Sequence, residues 1–406
     1  MHTPMRGRGR LACLTAGIAA VGLAATVAAA TAGPASGAAA RRTADTGTWA
    51  ASADRTGAKI ADQTVRDVVR TTVGGTGVRV SLSNVFGTQS VTFGYVSVGV
   101  RDAGAAVTPG TNRQVTFSGS PSITVPAGAQ VLSDPLTGSV AAQQDLAVSI
   151  YVRGAAGTVT GHNLAMQTSY VSTAGNHAGE DVADAFTTQV SNWYWLAGLD
   201  VSEPSPVSSV VALGDSITDG YGSTPNTNNR WPDVLARRLL ALPKARQMGV
   251  LNEGISGNKI LSDGAGVSTE ARLDRDVLAQ PGVRTVILLE GINDLSGGAT
   301  AEQVIAGDRQ LIARAHAAGK CILGGTLTPF GNAGAVEKAA VVTVNRFIRT
   351  SGEFDGVVDF NAAVRDPAHP DRMLPIYDSG DSLHPGDAGY TAMGSAVPLA
   401  ELRCSR

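Results

Sequence analysis

Cysteine is scarce, with three among 406 residues, at positions 13, 321 and 404. Cys13 falls in a leader, which leaves Cys321 and Cys404 for the folded protein. They form either one disulfide, which would contribute about 4 kcal/mol by closing a long loop, or two unpaired thiols. Charge is sparse as well: 16% of residues are charged and the net charge is -2. That balance gives no basic footprint for nucleic acid or for an anionic membrane surface. Beyond the leader, no segment is long and apolar enough to span a bilayer, so no stable membrane anchor is expected. No familiar metal-ligand spacing occurs either. His177 has Glu180, Asp181 and Asp184 close behind it, and this spacing reads as a solvated loop. No metal and no cofactor are expected, and oligomeric state leaves no trace in the sequence.

What is present begins with the leader itself, residues 1–40. Arg6, Arg8 and Arg10 precede an apolar run from Leu11 to Val27, and Ala28-Ala29-Ala30 and Ala38-Ala39-Ala40 offer small-residue cleavage sites. This is the pattern of a secretory signal peptide, and it predicts a secreted protein. Hydrophobic residues at 43% supply ample core for the rest.

Residues 43–203 read as an all-β, sandwich-like domain. Val78-Arg79-Val80-Ser81-Leu82 alternates, Val91 to Val100 is rich in β-formers, and Leu146 to Val152 alternates again. Gly74-Gly75, Pro109-Gly110 and Pro126-Ala127-Gly128 punctuate the runs. The knot Trp193-Tyr194-Trp195 reads as a strand with its Trp side chains in the core, rather than as a platform for sugar rings.

Glu203-Pro204-Ser205-Pro206 reads as a stiff linker, and from 204 to 406 strands alternate with helices. Val207–Leu213, Val250–Asn252, Thr285–Leu289, Cys321–Leu327 and Gly356–Phe360 are strand candidates. Trp231–Leu235 signals a helix, Thr300-Ala301-Glu302-Gln303 is a capping box, and Ala335–Thr350 is helical. A last helical pattern runs from Pro385 through Leu402. Such alternation predicts an α/β domain with a parallel sheet and helices on both faces.

Three polar turns follow three of these strands: Gly214-Asp215-Ser216, Ser256-Gly257-Asn258 and Gly291-Ile292-Asn293-Asp294. The carboxyl ends of parallel strands share one edge, so the three turns converge on one crevice. Ser216 is placed like a nucleophile, and the other two turns hold parts for an oxyanion hole. Two Asp-x-x-His-Pro segments offer a base: Asp366 with His369, and Asp381 with His384. Three-residue spacing lets the carboxylate reach the Nδ1 side of the imidazole. His384 is chosen because a firm helix follows it, whereas His369 lies in an irregular Pro-rich loop. His316 is assigned to a helix C-terminus.

Gly-Asp-Ser-Ile-Thr, Asn252 with Gly257, Gly-x-Asn-Asp and Asp-x-x-His-Pro, in that order, resemble the blocks of the SGNH (GDSL) esterase superfamily. The resemblance covers roughly half the chain. It implies a flavodoxin-like three-layer α/β/α hydrolase domain. It also implies that Ser216 is the nucleophile, His384 the base and Asp381 its partner. The implied oxyanion hole is the Ser216 N–H, the Gly257 N–H and the Asn293 side chain. No Gly-x-Ser-x-Gly occurs, so the other common serine-hydrolase elbow is absent. A preceding β-domain is similar to the arrangement in some secreted carbohydrate acetylesterases. The expected function is a secreted carbohydrate O-acetylesterase acting on acetylated polysaccharide. The alternatives are a lipolytic esterase or lysophospholipase, and a glycan-binding protein whose hydrolase domain is inactive.

Overall fold

Short runs of buried β-branched residues build the sheet that carries the site. The computed structural model describes residues 44–203 and 208–404; the leader, residues 204–206 of the expected linker and residue 207 of the first strand candidate lie outside them. Five strands form one parallel sheet: β1 (Ser208–Gly214), β2 (Met248–Gly254), β3 (Val283–Leu289), β4 (Cys321–Gly325) and β5 (Gly356–Val358). Their order is β2-β1-β3-β4-β5, the flavodoxin-like order, with its switch point beside β1. Ala212 of β1 lies level with Asn252 of β2 and Ile287 of β3, so the three strands end together.

Helices cover both faces. Gly324 of β4 faces Ile348 and Phe354, while Gly325 faces Phe360, as alternation along a strand requires. Helix Trp231–Leu240 packs against Asp387–Ala396, and Ala301–Ala317 packs against Ala335–Thr350. The expected capping box forms, with the Gln303 N–H donating to the Thr300 hydroxyl and the Thr300 N–H to the Gln303 side chain.

Several boundaries differ from the sequence expectation. The strand begun at Cys321 stops at Gly325. Phe360 does not end β5 but opens the helix Phe360–Val364, which Asp359 caps by accepting from the Ala362 N–H. The last long helix ends at Ala396 rather than running to Leu402, because Val397 is extended ahead of Pro398. Pro385 lies one residue before its N-cap, Gly386, so Asp387 takes the first helical position.

The preceding residues are all β. One antiparallel sheet contains Ala44–Ala50, Leu196–Glu203 and Gly75–Ser83; a larger one contains Ala61–Arg70, Asp145–Ala155 and Val91–Val100. They share one core, with Val80, Leu82 and Leu199 facing Val65, Val96 and Ile150. Trp193 and Trp195 are buried in that core, Trp193 edge-on to Trp49 and Trp195 edge-on to Phe93. A third, three-stranded sheet includes Val159–Asn163.

The described residues, 44–203 and 208–404, belong to a single compact unit. Ala44–Ala50 runs beside β2, and the Gly47 carbonyl stands where a side chain on Gly249 would be. The Val250 N–H donates to Thr72 Oγ1 at 3.0 Å. At the amino end of β4, Cys321 is joined to Cys404 as a disulfide, with Cα atoms 6.3 Å apart.

Asp359 gives a pH test of this packing. Arg349 donates to both its oxygens, at 2.7 and 2.9 Å, and Thr326 Oγ1 donates at 2.9 Å. Burial raises its pKa, but the bonds from Arg349, the Ala362 N–H and Thr326 outweigh it and bring the carboxyl down to about 2. A depressed carboxylate stabilises the fold above its unfolded pKa, and that share is lost as pH falls through the folded value. Asp359→Asn should therefore lower Tm, and the gap to wild type should be constant above about pH 5 and narrow toward pH 2. Thermal melts across that range check it; a gap that does not narrow refutes the assignment.

Candidate active site

At the end of β1 the chain turns sharply at Gly214, where a Cβ would collide with the Leu289 carbonyl and the Thr218 side chain. Asp215 then caps a one-turn helix, Ser216–Asp219, by accepting from the Ile217 N–H at 2.9 Å. Ser216 thus sits at the first position of that helix, above the sheet edge.

Ser216 Oγ lies 2.8 Å from His384 Nε2, and His384 Nδ1 lies 2.6 Å from Asp381 Oδ2. Asp381 Oδ1 accepts from the His384 N–H at 2.8 Å and the Leu383 N–H at 2.9 Å. Burial pushes the Asp381 pKa up, but these N–H groups and the imidazole outweigh burial and hold it below its ordinary value. Asp381 is therefore a carboxylate that accepts from Nδ1–H. The Nε2 lone pair is then left for the serine proton. The Tyr221 ring covers the imidazole, with centroids 4.5 Å apart.

The oxyanion-hole candidates surround Ser216. Among the described residues, the N–H groups of Ser216 and Gly257 donate to no protein acceptor. Gly257 has φ +81, a left-handed conformation that favours glycine. The Asn293 amide donates to the Asn258 carbonyl at 3.0 Å and reaches Asp215 Oδ2 at 3.4 Å. The second contact is too long to be strong.

Several buried groups that were not legible in the sequence hold these turns together. Arg272, without exposure, donates to the Gly214 carbonyl at 3.0 Å, the Glu253 carbonyl at 2.7 Å, Asn258 Oδ1 at 3.0 Å and Ser52 Oγ at 2.7 Å. Asp294 accepts from the Ile260 N–H at 2.9 Å and the Leu261 N–H at 3.0 Å. Burial lifts Asp215 to about 7, with the Asp294 and Asp219 charges adding to it and the Ile217 N–H and Arg272 opposing.

Other candidates lie apart from this arrangement. His369 Nδ1 is 3.2 Å from Asp366 Oδ2 in an exposed pair. His316 Nε2 is 2.9 Å from Asp355 Oδ2, and His177 Nδ1 is 2.9 Å from Glu180 Oε1. One acid and sulfur cluster with metal-ligand spacing occurs among the described residues, Cys321, Asp355 and Cys404, and its sulfurs are joined to each other.

Residues 212–392 match the GDSL-like Lipase/Acylhydrolase family. No curated protein matches the chain. Among solved structures, a member of the lipolytic protein G-D-S-L family from Veillonella parvula is 17% identical, with 47% of this chain and 96% of that one covered and a TM-score of 0.36. An acetylxylan esterase from Geobacillus stearothermophilus is 23% identical, with coverage of 49% and 96% and a TM-score of 0.38. An inhibitor-bound aryl esterase of M. smegmatis is 17% identical, with coverage of 47% and 96% and a TM-score of 0.38. The segment 212–392 is a GDSL-like acylhydrolase domain of the SGNH type, and the chain that carries it is a carboxylic ester hydrolase.

Proposed function

We propose that this chain is a secreted carbohydrate O-acetylesterase that works through an acyl-enzyme on Ser216. The observation that carries the chemistry is the chain Ser216–His384–Asp381, with links of 2.8 and 2.6 Å. Ser216 Oγ attacks the ester carbonyl carbon while Nε2 of His384 takes its proton. Asp381 stabilises the imidazolium that results. The carbonyl oxygen becomes an oxyanion, met by the Ser216 and Gly257 N–H groups and by the Asn293 amide. His384 returns the proton to the departing alcohol oxygen. Water then attacks the acyl group, His384 takes a proton from it, and acid and free Ser216 are released.

For the substrate, the open cleft beside His384 supports a short acyl group on a polar alcohol. It holds about 480 Å³ and is lined by Leu164, Met166, Tyr221, Ser223 and Ser379 among others. A more apolar cavity of about 450 Å³, between Phe330, Val341 and Val342, is lined by no residue of the candidate site, whereas Asp381 and Tyr221 line the first. A lipolytic reading needs such a space to open onto the nucleophile. The leader of residues 1–40 supports export. A glycan-binding role draws nothing from Trp193 and Trp195, whose rings are buried.

Two measurements test this reading. Ser216→Ala should lower kcat by about a million-fold and Asn293→Ala by about a hundred- to a thousand-fold. Near wild-type turnover in the first removes the nucleophile assignment; in the second it removes only Asn293 from the hole. Initial rates on p-nitrophenyl esters from acetate to palmitate should fall steeply beyond acetate. A maximum at long chains turns the reading to a lipolytic esterase, and no activity at any length to a binding protein.

A further inference from the structure

His162 lies on the strand Val159–Asn163, in the all-β part of the chain, and its imidazole is buried. Nδ1 is 2.9 Å from the Ser52 carbonyl oxygen, which can only accept, so Nδ1 carries a proton. Nε2 is 3.0 Å from Asp219 Oδ1. The other oxygen of Asp219 accepts from the Ser256 N–H at 3.0 Å and the Ser256 hydroxyl at 2.7 Å. With Nδ1 protonated and Oδ2 of Asp219 held by Ser256, Nε2 meets Oδ1 across a buried 3.0 Å contact and donates to it whenever the ring is charged. Burial works against that charge, and the Asp219 carboxylate overcomes it and holds the imidazole pKa above its ordinary value, against the opposing Arg230. The Trp193 ring covers one side, 5.4 Å away.

Asp219 stands between two parts of the candidate site. It is the last residue of the one-turn helix that begins with Ser216. The residue it grips, Ser256, immediately precedes Gly257. Fixing the Ser256 N–H fixes the peptide chain that enters Gly257, and so the direction of the next N–H. Charge-assisted bonds are the strong kind, and this one is shielded from water.

We infer that His162 is a positioning residue for ester hydrolysis, contributed by the β-region: through Asp219 and Ser256 it aims the Gly257 N–H at the developing oxyanion. The inference rests on the reading of Gly257 as an oxyanion donor. It gives the β-region a part in turnover that does not require it to touch the substrate. A group that acts on the transition state through backbone aim should change kcat and leave KM nearly alone.

The experiment is steady-state hydrolysis of p-nitrophenyl acetate, with Tm recorded for every protein. The set is wild type, His162→Ala, His162→Gln, Val98→Ala and Ser216→Ala. Val98 is buried in the β-region core and makes none of the contacts above. His162→Ala should lower kcat about ten- to a hundred-fold with KM within about twofold, the scale of a misplaced catalytic group. His162→Gln can still donate once to Asp219 and should recover part of the loss. Val98→Ala should lose Tm and keep its kcat. If His162→Ala does not fold, His162→Gln carries the decision by the same split of kcat from KM. Wild-type kcat in the folded His162 variants, with Ser216→Ala inactive, overturns the inference and leaves the esterase reading intact. An equal fall in Val98→Ala also overturns it, since general loosening would then explain the effect. Activity retained in Ser216→Ala instead removes the esterase reading on which the inference stands.

Discussion

Arg272 is a cation with no exposure to water, and the candidate site is assembled around its donors. They reach the carbonyl at the end of β1, the carbonyl near the end of β2, the side chain of Asn258 and the hydroxyl of Ser52. Gly214 and Asn258 belong to two of the turns that carry site residues, and Glu253 lies on the strand that leads into the second. A guanidinium suits this task because its five N–H groups lie in one rigid plane. Its own charge is met by Asp276 at 3.7 Å. Burial holds the Glu290 and Glu253 pKa values well above their ordinary range, so the surrounding acids do not all carry charge against one cation. Exposed carbonyls at strand ends would otherwise bind water and leave the turns loose.

The same network ties the β-region to the hydrolase core. Ser52 receives Arg272 and donates to Glu253 Oε2 at 2.5 Å, and its carbonyl receives His162. Asn226, in the loop after Ser216, accepts from the Thr168 N–H at 2.6 Å and donates through its own N–H to the Met166 carbonyl at 2.9 Å. Leu164 and Met166 also line the cleft beside His384. A region that lends a wall, a buried imidazole and a seryl bridge to the site does more than sit ahead of it in sequence.

The difference between what was legible in the sequence and what was not follows the distance along the chain. Ser216 was legible because strand and turn are local, and parallel strands bring their ends to one edge. Asp381 and His384 were legible because three residues separate them. Arg272 was hidden, since its bond to Ser52 spans 220 positions. His162 carries no signal of a role in the sequence, because its partners stand 57 and 110 positions away. A lone buried histidine has no periodic signature. The overlong last helix was a different case. The apolar pattern continues through Leu402, but Pro398 restricts Val397 to extended backbone and ends the helix before it.

Under the proposed reaction, Asn293 is poised between resting and reacting states. Its amide has two hydrogens, and at rest one is held firmly by the Asn258 carbonyl, while the other reaches Asp215 over 3.4 Å. Burial raises the Asp215 pKa, and the 3.4 Å reach already makes it a weak partner. A weak acceptor at long range is easily outcompeted by a full negative charge forming on a substrate oxygen. The firm bond to Asn258 meanwhile keeps the amide in place as its second hydrogen changes partner. The amide is thus anchored at one hydrogen and free at the other. Such a donor gains most from the transition state and little from the ground state, and only that difference accelerates the reaction.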